Sequence, residues 1–176
     1  GEGVFSGIYN KASFSAGYTH YQTDGWRENA DQDDDIANVF LQYELTYKSS
    51  IQAEYKYRDT EYGDIRLKFF DSSIFPTQRF ESENNTLRLG GKHAFTPNSI
   101  LLGNFVYQDG EFRETHDPFP QEGVEFVDFN QPDQESIGGE VQHLYRSVYF
   151  NLVTGGGYFD VDDDVEQLLT FGPPFI

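Results

Sequence analysis

The chain alternates. From Asn38 to Asp64 it reads NVFLQYELTYKSSIQAEYKYRDTEYGD, two long runs joined by Lys48-Ser49-Ser50. Val39, Leu41, Tyr43, Leu45 and Tyr47 share one face, and Gln42, Glu44 and Thr46 the other. After the turn, Ile51, Ala53, Tyr55 and Tyr57 repeat the apolar face against Gln52, Glu54, Lys56 and Arg58. A strict period of two marks a β-strand whose sides meet different surroundings. The arrangement recurs at Asn10-Lys11, Thr96-Pro97-Asn98-Ser99 and Arg146-Ser147, each turn following an aromatic closely: Tyr9, Phe95 and Tyr145. Tyr47 to Phe95 is 48 residues and Phe95 to Tyr145 is 50, a repeat of strand, short turn, strand and long loop.

The long connections are Asp24–Asp35, Asp59–Asp64, Asp71–Glu83, Asp109–Glu135 and Asp160–Asp164, rich in residues that favour turns. The pattern predicts ten strands, at 3–9, 12–23, 36–47, 51–59, 64–70, 83–95, 99–109, 136–145, 148–160 and 165–171. Several reach the roughly 9–11 residues that a tilted strand needs to cross a bilayer. Strands of soluble proteins average about 5–6 residues. The expectation is an all-β fold: an antiparallel transmembrane β-barrel with short periplasmic turns and long acidic extracellular loops, residues 1–176 forming one barrel domain or part of a larger one. On this reading the Val39/Leu41/Tyr43/Leu45 face meets lipid and the Gln42/Glu44/Thr46 face lines the lumen. Trp26, Tyr47, Tyr57, Phe95 and Tyr145 mark the membrane interfaces, where amphipathic rings are favoured. A soluble β-sandwich explains the alternation equally well, and the strand lengths and one-sided loops less well.

Composition narrows the field. There is no cysteine, so disulfides and thiolate metal sites are excluded, and no run of apolar residues long enough for a transmembrane helix. The chain also lacks methionine, which points to processing or to excision from a longer chain. Of the 30 acids behind the net charge of −18, 26 fall in the long connections just named or within three residues of them. A chain this acidic presents no phosphate-contacting surface for nucleic acid.

The stretches HYQTDGWREN (20–29), YRDTEYGDIRLKFF (57–70), HAFTPNSILLGNFVYQD (93–109) and QHLYRSVYFNLVTGGGYFDV (142–161) resemble segments of large bacterial outer-membrane β-barrel proteins. In those proteins the barrel follows periplasmic repeat modules such as tetratricopeptide repeats, and parts are TonB-receptor-like. The resemblance implies a Gram-negative outer membrane, contact with its lipid and lipopolysaccharide, a periplasmic repeat module or partner, and passage of material across that membrane. Many such barrels end in a strand closing on an aromatic residue. This chain ends Phe171-Gly172-Pro173-Pro174-Phe175-Ile176, and prolines are poor in a closing strand, so the expectation is a stop in a loop.

Six of the 12 basic residues, Lys56, Arg58, Arg66, Lys68, Arg88 and Lys92, fall on the polar side of three consecutive predicted strands. Together they form a basic wall that favours anionic cargo, unless Glu44, Glu54 and Glu140 neutralise it within the lumen. Asp31, Asp33 and Asp35, and likewise Asp160, Asp162 and Asp164, begin like a calcium loop. They are candidates for loose divalent binding only, since Ile36 or Val165 stands where an EF-hand has Gly, and Gln42 or Phe171 where it has Glu. His20, His93, His116 and His143 make no zinc motif. Nucleophilic catalysis in a barrel requires a Ser-His pair on adjacent outer strands. Ser15 and Ser147 lie near His20 and His143, and no G-x-S-x-G elbow is present. Neither a cofactor nor an enzymatic activity is expected. Gly155-Gly156-Gly157 predicts a bend or close packing. Phe112, Phe119, Phe126 and Phe129 in the longest connection suit a sugar, a partner or a folded-in plug. The sequence leaves three functions open: a transport or export channel, a plugged structural or adhesive barrel, and a soluble all-β binding module.

Overall fold

The computed structural model describes residues 1–67, 75–116 and 124–171. They form one antiparallel sheet, with no helix among them. The strands are β1 (Glu2–Tyr9), β2 (Ala12–Thr23), β3 (Gln32–Thr46), β4 (Ser49–Tyr62), β5 (Arg79–Thr96), β6 (Ser99–His116), β7 (Val124–Arg146) and β8 (Asn151–Phe171), each paired with the next in sequence. Sequential order follows from the hairpins: Asn10, at φ 55°, sits in a two-residue turn where the left-handed region is required. β1 and β8 are the edges, so the sheet is open rather than closed into a barrel.

Among the described residues there are eight strands where ten were expected. Of the segment predicted at 64–70, residues 68–70 lie outside the described residues, and 64–67 are not strand: the chain leaves the sheet at Gly63, where a Cβ would stand 2.3 Å from the Asn29 carbonyl oxygen. The runs 148–160 and 165–171 are one strand, because Asp162, Asp163 and Asp164 keep alternating and pair with Glu135, Gln134 and Asp133. The acidic stretches expected as loops are in large part strand. β3 takes in Asp33–Asp35, β6 and β7 extend through most of 109–135, and residues 117–123 lie outside the described segments. Cross-strand pairing overrides the turn preference of Asp and Asn here, since each added pair in a ladder already begun satisfies further backbone groups.

The registers carry one face across all strands. Phe14, Leu41, Ala53, Leu89, Phe105 and Gly139 lie opposite one another in turn, and so do Ser13, Gln42, Gln52, Gly90, Asn104 and Glu140 on the reverse side. The first set belongs to an apolar face and the second to a polar face. Among the described residues no second sheet covers either. A sandwich needs two packed sheets, and the described chain has one. Ala30 and Phe80 are the buried hydrophobic residues among those described. The accessible surface is 12516 Å², against about 8,800 Å² for a compact monomer of this mass.

The loops at the far end of β2–β5 are tied together. Asp64, 1% exposed, is 3.2 Å from the Arg27 guanidinium, which also donates to the carbonyls of Asp64 and Arg66. Asn29 Nδ2 donates to the carbonyls of Phe75 (2.7 Å) and Gln78 (2.9 Å), and Phe75 N–H donates to Asp64 Oδ2. Gly25 adopts φ +74°, and any Cβ there would strike the Ala30 carbonyl. Breaking a buried ion pair by removing one charge costs ~3 kcal/mol. Asp64→Asn is therefore expected to speed tryptic cleavage after Arg66 by one to two orders of magnitude, roughly the rise in the open population. Cleavage after Lys11, far from the clasp, should not change. Equal cleavage after Arg66 in both proteins would show that the clasp does not hold this segment.

Candidate functional site

The apolar face is banded. Between the short turns and the level of Tyr57 it presents Ala37–Tyr43 on β3, Ile51–Tyr57 on β4 and Leu101–Tyr107 on β6, at alternate positions. Ser49–Tyr57 and Ser99–Tyr107, counted from the turns, span about 27 Å along each strand. The upper edge of the band is a row of tyrosines whose hydroxyls reach up to polar partners. Tyr18 donates to Asp35 (2.5 Å), Tyr55 to Asn85 (2.6 Å) and Tyr107 to Glu135 (3.0 Å).

Above the tyrosines the same face turns acidic. Asp35 lies opposite Asp59, Asp59 opposite Glu83, and Glu83 opposite Glu111. Asp33, Glu61 and Glu81 make a second row, and Asp109, Glu135 and Asp162 a third. Like charges directly opposite repel. Partial burial, then Glu83, Asp35 and Asp33, push the Asp59 carboxyl up. Hydrogen bonds from Tyr18 and His20 hold Asp35 down.

Alternation splits the first candidate cation run. Asp31 pairs with Arg79 at 2.5 Å, and Asp34 lies on the polar face. Asp33 and Asp35 converge with His20, whose Nδ1 is 3.6 and 3.0 Å from their oxygens. Asp160, Asp162 and Asp164 share the acidic side of β8, opposite Ile137, Glu135 and Asp133. A second carboxylate group joins Asp109, Asp133 and Glu135 instead. Period-two parity would have separated Asp34 from its neighbours; the cross-strand partners needed the register.

The polar face places Lys56, Arg58, Arg88 and Lys92 on β4 and β5, as expected from parity. Arg66 stands in the clasped loop, and Lys68 lies outside the described residues. The cations of the expected wall are partly neutralised. Arg58 grips Asp34 through two bonds of 2.9 and 3.0 Å, and Thr60 adds a third at 2.7 Å. Arg88 donates to Glu54 at 3.2 Å. The Arg58 guanidinium holds the Asp34 carboxyl below the usual range. Nearer the short turns, a groove of about 390 Å³ is lined on this face by Gln42, Gln52, Lys92, Asn104, Glu140 and Gln142. Its chemistry is chiefly neutral hydrogen bonding: four amides, one carboxylate and one ammonium. Towards the clasped loops the face carries an aromatic row, Tyr62–Phe80–Phe112–Phe129, with ring centroids 4.8, 6.3 and 6.2 Å apart. Phe119 and the side chain of Phe126 lie outside the described residues. Gln78 reaches from the clasped loop to Glu114 on this face (2.8 Å), and Phe80 beneath is 7% exposed.

Trp26 stands in the loop beyond Thr23, well past the tyrosine row, with the Arg27 guanidinium 5.1 Å from its ring. Tyr57 lies in the tyrosine row, and Tyr47, Phe95 and Tyr145 lie at the short turns. Ser-His pairs do occur on adjacent strands of the apolar face, between other serines than Ser15 and Ser147. Ser49 is 2.8 Å from His93 Nδ1, and Ser99 is 2.8 Å from His143 Nε2. Among the described residues neither imidazole has a carboxylate to orient it, the third member that an activated serine uses. Gly155 and Gly157 allow close approach of β7, since a Cβ would stand 2.5 Å from the Val141 carbonyl oxygen and 2.9 Å from that of Gly139. No protein-family model and no curated protein matches the chain.

The charge rows make a pH-dependent prediction. A raised carboxyl opposes folding while ionised, and the penalty disappears as pH falls through its folded value. Asp59→Asn is expected to raise stability by ~0.5 kcal/mol at neutral pH and low salt, with the gain vanishing in acid, where wild-type Asp59 is already protonated. Asp34 acts in the opposite sense: its contribution is complete above the ordinary carboxylate range and is lost as pH falls through its lowered value. Urea titration across pH measures both, and a neutral-pH gain for Asp34→Asn would contradict the assignment.

Proposed function

We propose that the chain forms the wall of a bacterial outer-membrane β-barrel, through which polar solutes or a polar polymer cross the Gram-negative outer membrane. One observation carries this reading: a single-layer sheet bears an apolar band on one face, seven residues tall from Ile51 to Tyr57 and nine counted from the turn, bounded by tyrosine hydroxyls, with hydrogen-bonding side chains on the reverse. In water such a band requires a covering layer, and the described residues supply none. In a bilayer, lipid covers it, and roughly 9–11 residues per strand is the span needed. No helix among the described residues is long and apolar enough to cross a membrane, which leaves crossing by strands untouched. The long acidic strand ends then stand on the lipopolysaccharide side and the short turns on the periplasmic side. The unpaired edges β1 and β8 are completed within a larger closed wall, because lipid tolerates no open sheet edge. A periplasmic repeat module remains part of the proposal through the resemblance noted above.

The lining supports a channel of weak charge preference rather than the anion-selective wall expected from the basic residues alone. Arg58 and Arg88 each have a carboxylate partner, and the groove between the turns is lined mainly by amides. The proposal assigns the chain no catalysis. A plugged barrel is the second reading, favoured by the clasped loop lying over the aromatic row through Gln78 and Glu114.

The parent protein is expected in the outer-membrane fraction, with a detergent-extracted band that changes mobility on boiling. A soluble protein without that change would overturn the membrane reading. In planar bilayers the channel reading expects conductance with a reversal potential near zero under a salt gradient. Arg58→Gln with Arg88→Gln leaves Asp34 and Glu54 unpaired and should move the potential towards cation preference. An inserted, heat-shifting but non-conducting protein would favour the plugged barrel.

A further inference from the structure

Near the short turns the polar face is organised in rows that cross the strands. Gln42, Gln52, Gly90, Asn104 and Glu140 lie opposite one another in turn on β3–β7. One step closer to the turns, Lys92, Leu102 and Gln142 do the same on β5–β7. These two rows line the groove of about 390 Å³ described above. Small-molecule sites measure roughly 300–1,000 Å³. Gly90 stands in the middle of the first row. A Cβ there would come within 2.7 Å of the Gln52 side chain, so the absence of one keeps the groove open.

The groove's amides are left open by the protein itself. Among the described residues, the side chains of Gln42, Gln52 and Asn104 have no hydrogen-bond partner, and Gln142 donates to Glu140. Further along the same face polar groups are partnered: Arg58 with Asp34, Arg88 with Glu54 and Asn84 with Ser82. The groove's single carboxylate and single ammonium leave it without net charge. An anion or a cation therefore meets as much repulsion as attraction. An amide side chain both donates and accepts, and so does a hydroxyl. A neutral polyhydroxyl molecule can pair with every open amide in either sense. Leu102 adds an apolar patch between Lys92 and Gln142, suited to the C–H face of a sugar ring. An extended peptide fits less well. Sheets take peptides along an open edge, whereas the backbone groups of β3–β7 are already paired in the ladder on both sides.

We propose that this groove is a binding site for a neutral oligosaccharide. Gln42, Gln52 and Asn104 pair with its hydroxyls, Glu140 accepts from one more, and Leu102 packs against a ring face. The inference rests on the membrane reading above, which makes this face the lumen, and it names the class of polar solute that the lumen holds. The site stands at the short-turn end of the strands, apart from the Arg58 and Arg88 ion pairs and from the aromatic row near the clasped loops.

The test uses the full-length parent protein in detergent, first classified by its band shift on boiling. Equilibrium dialysis then measures binding of radiolabelled maltotriose, cellotriose and triacetylchitotriose, with trialanine and a trimer of galacturonic acid as the comparison probes. At least one neutral trisaccharide should bind saturably, and more tightly than either comparison probe. Raising the salt to about 0.5 M should leave that binding unchanged, because screening acts on charges. A net hydrogen bond is worth roughly fivefold in affinity, so Gln52→Ala with Asn104→Ala should weaken binding roughly 25-fold. Gly90→Leu should abolish it by filling the groove. Asn38→Ala, on the same face beyond the groove, should leave it unchanged. No saturable binding of any trisaccharide by a heat-shifting protein would overturn the proposal and leave the membrane reading in place. Trialanine bound as tightly as the best sugar would overturn it in favour of a peptide site. Undiminished binding by folded Gly90→Leu protein would place the sugar elsewhere and overturn it too. A soluble protein without a band shift would instead overturn the membrane reading, and with it the lumen on which the proposal rests. The comparison of probes and of salt needs only the wild type, so a variant that fails to fold does not decide the matter.

Discussion

The backbone ladder is the constraint on which everything else here depends. Seven consecutive antiparallel pairings hold eight strands in one layer. With so little buried apolar surface within the chain, the ladder rather than a core fixes where each side chain stands. Because the side-chain period is two, a slip of one residue would turn the tyrosines and leucines of β3 and β4 to the polar side and bring Arg58 and Arg88 among them. Register therefore decides which side chains share the apolar face, which carboxylate each arginine finds, and which small residues open a groove.

The two ends of the strands obey opposite rules. Near the short turns one face is apolar, with Tyr43, Ile51 and Leu101 in its strands. Beyond the tyrosines it is dominated by carboxylates in directly opposed rows. Such rows are tolerable only where water and counter-ions have access, since repulsion between exposed charges is screened within about 10 Å at ordinary salt. The tyrosine row is the boundary between the two regimes: the rings lie on the apolar band, and the hydroxyls of Tyr18, Tyr55 and Tyr107 donate to Asp35, Asn85 and Glu135 further along the same face. A single strand such as β4 thus passes from Ile51 and Ala53, through Tyr55 and Tyr57, to Asp59 and Glu61 without changing face. That progression changes the chemistry of the face along the strand without changing the fold.

Acidic composition proved a poor guide to strand ends. Asp and Asn favour turns through local hydrogen bonds to the backbone, and for that reason Asp33–Asp35 and Asp160–Asp164 read as loops. In the sheet they alternate like any other strand residues, and Asp34 becomes the partner of Arg58 while its neighbours face the other way. The segment after Gly63 went the opposite way. Its alternating Ile65 and Leu67 resemble a strand, yet Arg27 and Asn29, more than thirty residues earlier in the chain, hold it and its return out of the sheet.

By itself the sequence determined the all-β class, the antiparallel hairpins at the short turns, the membership of the two faces, and the concentration of acids away from the short turns. All of these follow from spacing and local turn chemistry, which act over a few residues. Only the tertiary structure decided the strand number among the described residues, the neutralisation of Arg58 and Arg88, the clasp of Arg27 on Asp64, and the choice of Ser49 and Ser99 as histidine partners. Each of these joins residues brought together across the sheet from distant points in the chain. The physical reason is that alternation assigns a side chain to a face, while its neighbour on that face is set by the register of a different strand.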